Sequence, residues 1–338
     1  MRAAAWRAQP AGQWRWPFSV VMAQMNRLSF RRKFAVAGGL VISMVGTLAL
    51  TLLADMASSL NAVQRETRGL TVLNASLEAI EQLSAQRAAA AGLAAGDAGL
   101  RPQQAEAAKR AQASSEQLAA LLTGEAAELA LSAAWRQLTA APSPESAAQA
   151  FLADLGERSG LGLDADVRTH HLAAAALRGV SEVMARLAQL RTHGAVILGQ
   201  DELPIADGRQ LNLELAQLQF ASAALSAQLA RADAQLAPGS QASAQLRAAQ
   251  QAIAASVSTA QQTVVSELLR ASLSLPTQDY LQRLSALSAE VLTHARRAIL
   301  PALQAGLDAR EAELMRRIGL ALDRKSTRLN SSHANVSR

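Results

Sequence analysis

The sequence predicts an all-α protein: one N-terminal transmembrane helix followed by an elongated, bimodular four-helix-bundle domain. Three observations carry this. A charge-free apolar run, Phe34 to Ala54, stands near the start. From residue 56 onward Ala, Leu, Gln, Arg and Glu dominate, all strong helix formers, while Val and Ile are sparse and two-residue alternation is hard to find. Leucines recur in steps of four and three, the 3.5-residue repeat of helices packed nearly parallel.

The elements follow in order. Residues 1–33 read as a cytoplasmic N-terminal tail. Within it residues 1–24 are poorly specified, and Met25 begins MNRLSFRRKF, a more natural short lead and start. Residues 34–54 read as a membrane span. At 1.5 Å per residue they reach about 30 Å, the thickness of a bilayer's hydrocarbon core. Arg31, Arg32 and Lys33 precede the run and Asp55 follows it. A basic N-terminal flank sets that side in the cytoplasm. The run is long for the apolar part of a signal peptide, and no clear small-x-small cleavage site follows, which favours an uncleaved anchor. The expected location is the bacterial inner membrane, with residues 55–317 periplasmic.

Turn signals divide that region. They are Gly96 to Gly99 with Pro102, Pro142-Ser143-Pro144, Gly160-Leu161-Gly162, Gly199 to Pro204, Pro238-Gly239 and Leu275-Pro276. Helices are expected over roughly 56–96, 102–140, 144–156, 165–199, 203–236, 240–273 and 277–322. The seams are explicit. Leu211, Leu215, Leu218, Ser222, Leu225, Leu229, Ala232 and Leu236 form one. Leu246, Ile253, Val257, Ala260 and Val264 form a second, and Tyr280, Leu284, Leu287 and Val291 a third. Aromatics after the span are few: Trp135, Phe151, Phe220 and Tyr280. A thin, long core of two stacked modules sharing long helices follows from this. Residues 318–322 look like the first turn of a second span. Residues 323–338 (DRKSTRLNSSHANVSR) abandon the pattern, resemble translated sequencing-adapter read-through, and are set aside as non-native. On that reading the natural chain continues into a cytoplasmic output domain.

The net charge of +6 is unevenly spread. Residues 1–54 hold seven basic and no acidic residues, and residues 55–322 hold 22 basic and 26 acidic ones. The bulk is mildly acidic, so the basic total argues for topology and against nucleic-acid binding. With no cysteine, disulfides and thiolate metal sites are excluded. No phosphate loop, nucleophile elbow or HExxH is present, so no enzymatic activity and no cofactor are expected. His170, His171 and His193 share a helix but lack ligand spacing, so no metal site is assigned.

Two arginines stand out. Leu70, Leu73, Leu77, Ile80, Ser84, Arg87, Ala91 and Ala94 follow strict three- and four-residue steps, as do Leu177, Val180, Met184, Leu187, Arg191, Gly194 and Leu198. Arg87 and Arg191 thus fall on apolar seams beside small residues. A guanidinium in a helical core needs a partner or an anion. Two convergent arginines would hold a small oxyanion or carboxylate. Alternatively each snorkels outward or pairs with a glutamate such as Glu78 or Glu81. Arg87, Arg191 and His193 are the candidate ligand-binding residues, with a small anion as the ligand.

LSAQRAAAAGLAAGD (83–97) resembles the conserved-arginine segment of nitrate/nitrite-sensing and related all-helical receptor domains. VRTHHLAAAALRGVSEVMARLAQLRTHGAVIL (167–198) resembles its partner helix. YLQRLSALSAEVLTHARRAILPALQAGLDAREAELMRR (280–317) is similar to the juxtamembrane helix of proteobacterial chemoreceptors, sensor kinases and diguanylate cyclases. Ala88 stands where that pattern usually has Gly. The resemblance implies the sensor half of a methyl-accepting chemotaxis protein. It further implies a homodimer and a small ligand bound between helices. The alternatives are the input region of a sensor kinase or diguanylate cyclase, and a structural coiled-coil protein of the envelope.

Overall fold

The computed structural model describes residues 29–141, 144–163, 166–269, 273 and 275–334. Residues 1–28, with most of the tail read as cytoplasmic, lie outside them, as do 335–338. By its contacts the chain divides into two units, 1–58 and 59–338. The sequence placed the boundary at 54/55. Among the described residues every regular element is a helix and none is a strand.

Helix α1 (Phe30–Ala94) contributes to both units. In the first unit it carries the apolar run, long and apolar enough to cross a membrane, and no part of that window is buried among the described residues. A core helix would be covered; this one exposes Phe34, Ile42, Met44 and Leu50. The two threonine hydroxyls of the run are satisfied within the helix. Thr47 Oγ1 donates to the Ser43 carbonyl and Thr51 Oγ1 to the Leu48 carbonyl, each at 2.9 Å. A helix in hydrocarbon needs that self-sufficiency.

The second unit adds α2 (Arg101–Thr123), α3 (Ser132–Ala140) and α4 (Pro144–Ser159). The single helix expected over 102–140 is thus two. Gly124 leaves helical geometry, a 3-10 turn covers Ala127–Leu129, and Ala130 adopts φ 52°. The break is stabilised by packing: Ala126, Leu129 and Leu131 are buried, and Trp135 meets Phe151 of α4 edge-on at 5.5 Å. Helix α5 (167–200) joins Val167–Ala174, a π-helical Ala175–Val180 and Ser181–Gln200. Asp166 caps it, its carboxylate accepting from the Arg168 and Thr169 amides at 2.9 and 3.0 Å. Asp201, left-handed at φ 52°, ends it.

Helix α6 (Ile205–Asp233) follows. Helix α7 (241–269) is capped by Ser240 and ends in the π-helical Val265–Leu269. Its end was expected at 273, and residues 270–272 lie outside the described set. Helix α8 (277–334) comprises Thr277–His294, a π-helical Ala295–Ile299 and Leu300–Ala334. The sequence reading stopped it at 322. It continues because residues 323–334 hold no glycine or proline to halt it.

Named pairs set the directions. Glu66, Glu78 and Glu81 of α1 meet Arg310, Arg296 and Ser288 of α8, so those helices run antiparallel. Ser84 bonds Arg191, and an added Cβ at Gly199 would touch Ala95, so α5 runs parallel to α1. Helices α5, α6, α7 and α8 pack each on the next, and α8 returns to α5. The π segments of α5 and α8 pack on each other. The α6, α7 and α8 seams are all in the core, apart from a partly buried Leu236. Phe220, by contrast, is 78% exposed.

Candidate functional site

The polar centre of the second unit lies where α1, α5 and α8 meet. Arg191 is 1% exposed and Glu81 5%. Arg191 Nη1 donates to Glu81 Oε1 at 2.6 Å and to Ser285 Oγ at 3.1 Å, and Nη2 donates to Ser84 Oγ at 2.7 Å. Ser288 Oγ donates to the second Glu81 oxygen at 2.6 Å. Ser84 donates onward to the Glu81 carbonyl at 2.9 Å. Arg191 Nε has no hydrogen-bond partner among the described residues. The cluster is a buried ion pair dressed by three serines. Pairs of this kind add little net stability, because desolvation offsets the attraction, but losing one member is costly.

The Arg191 seam is buried at Leu177, Val180, Met184, Leu187 and Gly194, with Leu198 partly buried at its end. The α1 seam slips. After Leu77 the buried positions are Ala79, Glu81, Ser84, Ala88, Ala89 and Gly92, while Ile80, Arg87 and Ala91 are half-buried and Ala94 is exposed. A straight helix has 3.6 residues per turn, so a strict 3.5-residue stripe drifts around it by about 20° per heptad. The glutamate, not Arg87, therefore takes the inward position.

Arg87 turns elsewhere. Its Nη2 donates to the Ala141 carbonyl at 2.6 Å, at the end of α3. The two arginines are thus held by different groups, and Arg191 already has a carboxylate. Nor is the space beside Gly194 vacant. A Cβ there would lie 2.3 Å from the Tyr280 hydroxyl, so only glycine admits the ring. Tyr280 is fully buried, donates to the Leu190 carbonyl at 2.8 Å, and burial pushes its phenol above the ordinary range.

His193, two residues on from Arg191, faces α6. Its Nδ1 lies 3.3 Å from buried Glu214 and its Nε2 3.7 Å from Asp207. Gln210 donates to Glu214 at 3.0 Å. The bond to Glu214 raises the imidazole pKa above its usual value, against the opposing effect of burial. His171 bonds Gln228 at 2.9 Å, so neither ring faces Arg191's cluster. Among the described residues no group of three His, Asp or Glu is arranged to hold a metal ion.

Two cavities adjoin Glu81. One, of about 20 Å³, is bounded by Leu77, Ser84, Leu152 and Met184 and has room for little more than a water. The other is a cleft of about 470 Å³ between α1, α2 and α8, with Glu81 and Ser285 among its lining residues. Sequence reading missed this cleft, because its wall residues are ordinary helix-surface glutamines and alanines. No protein-family model, no curated protein and no solved structure matches the chain.

Proposed function

We propose that the chain is the sensory region of a bacterial membrane-anchored receptor, a methyl-accepting chemotaxis protein in the first instance, working as a homodimer. On this reading the apolar run is an inner-membrane anchor and residues 55–317 lie in the periplasm. A small ligand shifts α1 against α5 and α8 and so biases a cytoplasmic output. The observation that carries the reading is the Glu81–Arg191–Ser288 joint. One helix bears both an apolar run of spanning length and a buried carboxylate held by two other helices. A buried polar joint has few alternative arrangements that leave no charge unpaired, so it favours discrete helix registers over continuous sliding. An open cleft beside the joint gives a ligand somewhere to discriminate between registers.

The test is a hybrid receptor. Residues 25–317 are joined to the second span and output half of a receptor of known response. Glu81→Gln and Arg191→Lys are then compared with the wild type without added ligand. Both variants should shift the basal output. An unchanged output in both, with the hybrid present in the membrane, rules the reading out.

A further inference from the structure

The cleft between α1, α2 and α8 has an unusual wall. Its volume of about 470 Å³ falls in the range of small-molecule sites, roughly 300–1,000 Å³. Four carboxamides from three helices line it: Gln82, Gln103, Gln278 and Gln282. Each carboxamide carries a donor and an acceptor side by side, the Gln82 donor being engaged by Glu78 at 2.9 Å.

The charges in the wall are already matched. Arg110 donates to Glu106 at 3.2 Å along α2, and Glu81 is taken by Arg191 and Ser288. A small anion entering here meets no uncommitted cation in the lining. Gln103 Oε1, however, is buried with no hydrogen-bond partner among the described residues. A buried acceptor without a donor carries a desolvation cost, and such groups are rare in native structures. Ser285 lines the same cleft and accepts from Arg191, so its own O–H is left to donate into the cleft.

We propose that this cleft binds a small solute of zero net charge bearing adjacent hydrogen-bond donors and acceptors, as amides and vicinal diols do. A turn of the Gln103 carboxamide about its last torsion brings the unpartnered Oε1 out to a ligand donor, and one ligand acceptor takes the Ser285 hydroxyl. The assignment rests on the receptor reading and names the ligand class for it. It departs from the anion expected from the arginine seams. Occupancy is coupled to the helix joint through Ser285, which the ligand and Arg191 share.

The experiment uses the full chain in detergent micelles, with thermal unfolding and titration calorimetry. Malonamide and glucose are the amide and diol probes, and sodium nitrate and sodium acetate are the anions. At least one neutral probe should raise the melting temperature, and which one does so separates the two chemistries. Gln103→Leu should weaken its binding about tenfold, the scale of one buried hydrogen bond. Gln278→Leu, at an exposed position, should weaken binding without disturbing the fold. Stabilisation by the anions alone, no response to either neutral probe, or binding untouched by both substitutions would each overturn the proposal. The hybrid output needs no ligand. A failed titration beside a shifted output therefore removes only the cleft assignment, and an unshifted output removes the receptor reading whatever the cleft binds.

Discussion

The two parts of α1 invert each other. Residues 30–58 expose Ile42, Met44 and Leu50, while residues 59–94 bury Glu66, Glu81 and Ser84. In the first part the run from Phe34 to Ala54 is apolar, and none of the described residues buries it. In the second, carboxylates go inward because Arg310 and Arg191 wait for them at 3.1 and 2.6 Å. One secondary structure serves both because a helix satisfies its own backbone, leaving the side chains to choose the surroundings. The exposed part is long and apolar enough to cross a membrane; the buried part holds carboxylates matched by partner charges.

The strongest way to break the contrast is to strip the buried part of its partner. Arg191→Ala leaves Glu81 buried and unpaired, and should cost about 3–5 kcal/mol in guanidinium unfolding of the full chain. The double substitution Glu81→Leu with Arg191→Met should recover most of that loss. If Arg191→Ala is neutral, the pair is not buried in solution. The exposed part is tested next. Val45→Arg places a charge mid-run, at a cost of roughly 2.5–3.5 kcal/mol for insertion. The membrane-integrated fraction should fall steeply, and an unchanged fraction means the run does not cross a bilayer.

The smallest effect sharpens the edge of the polar region. The His193 pKa is raised in the folded chain, so its contribution to stability is fully present below the ordinary value of 6.5 and is lost as pH rises through the folded value. Stability of the wild type should therefore decline over that interval, while His193→Gln should show a flatter profile. Equal slopes in both would remove the imidazolium–Glu214 interaction.

Particular residues show how far the sequence could be read. The seam from Leu211 to Ala232 is buried at every position named from its spacing alone. The same rule, applied to α1, named Arg87 and missed Glu81. The error is one of phase: a strict 3.5-residue stripe drifts by about 20° per heptad around a helix of 3.6 residues per turn, so the named positions leave the inward face along the seam. The pairing of Arg191 with Glu81 was open as an alternative, and the packing of α5 on α1 selects it. The α2–α3 break escaped notice because Gly124 alone is a weak signal, and the burial of Leu129 and Leu131 is what makes the turn worthwhile.

The sequence by itself determined the helical class, the apolar run and the leucine seams, because periodicity and local propensity act within one helix and need no knowledge of a neighbour. Tertiary structure decided the rest. It chose Glu81 as the partner of Arg191, filled the space at Gly194 with Tyr280, and opened a cleft where three glutamine-bearing helix surfaces stand apart. Each of these draws on residues far apart in the chain, 110 positions for Glu81 and Arg191 and 207 for Glu81 and Ser288, and only the register between packed helices brings such groups within reach of one another.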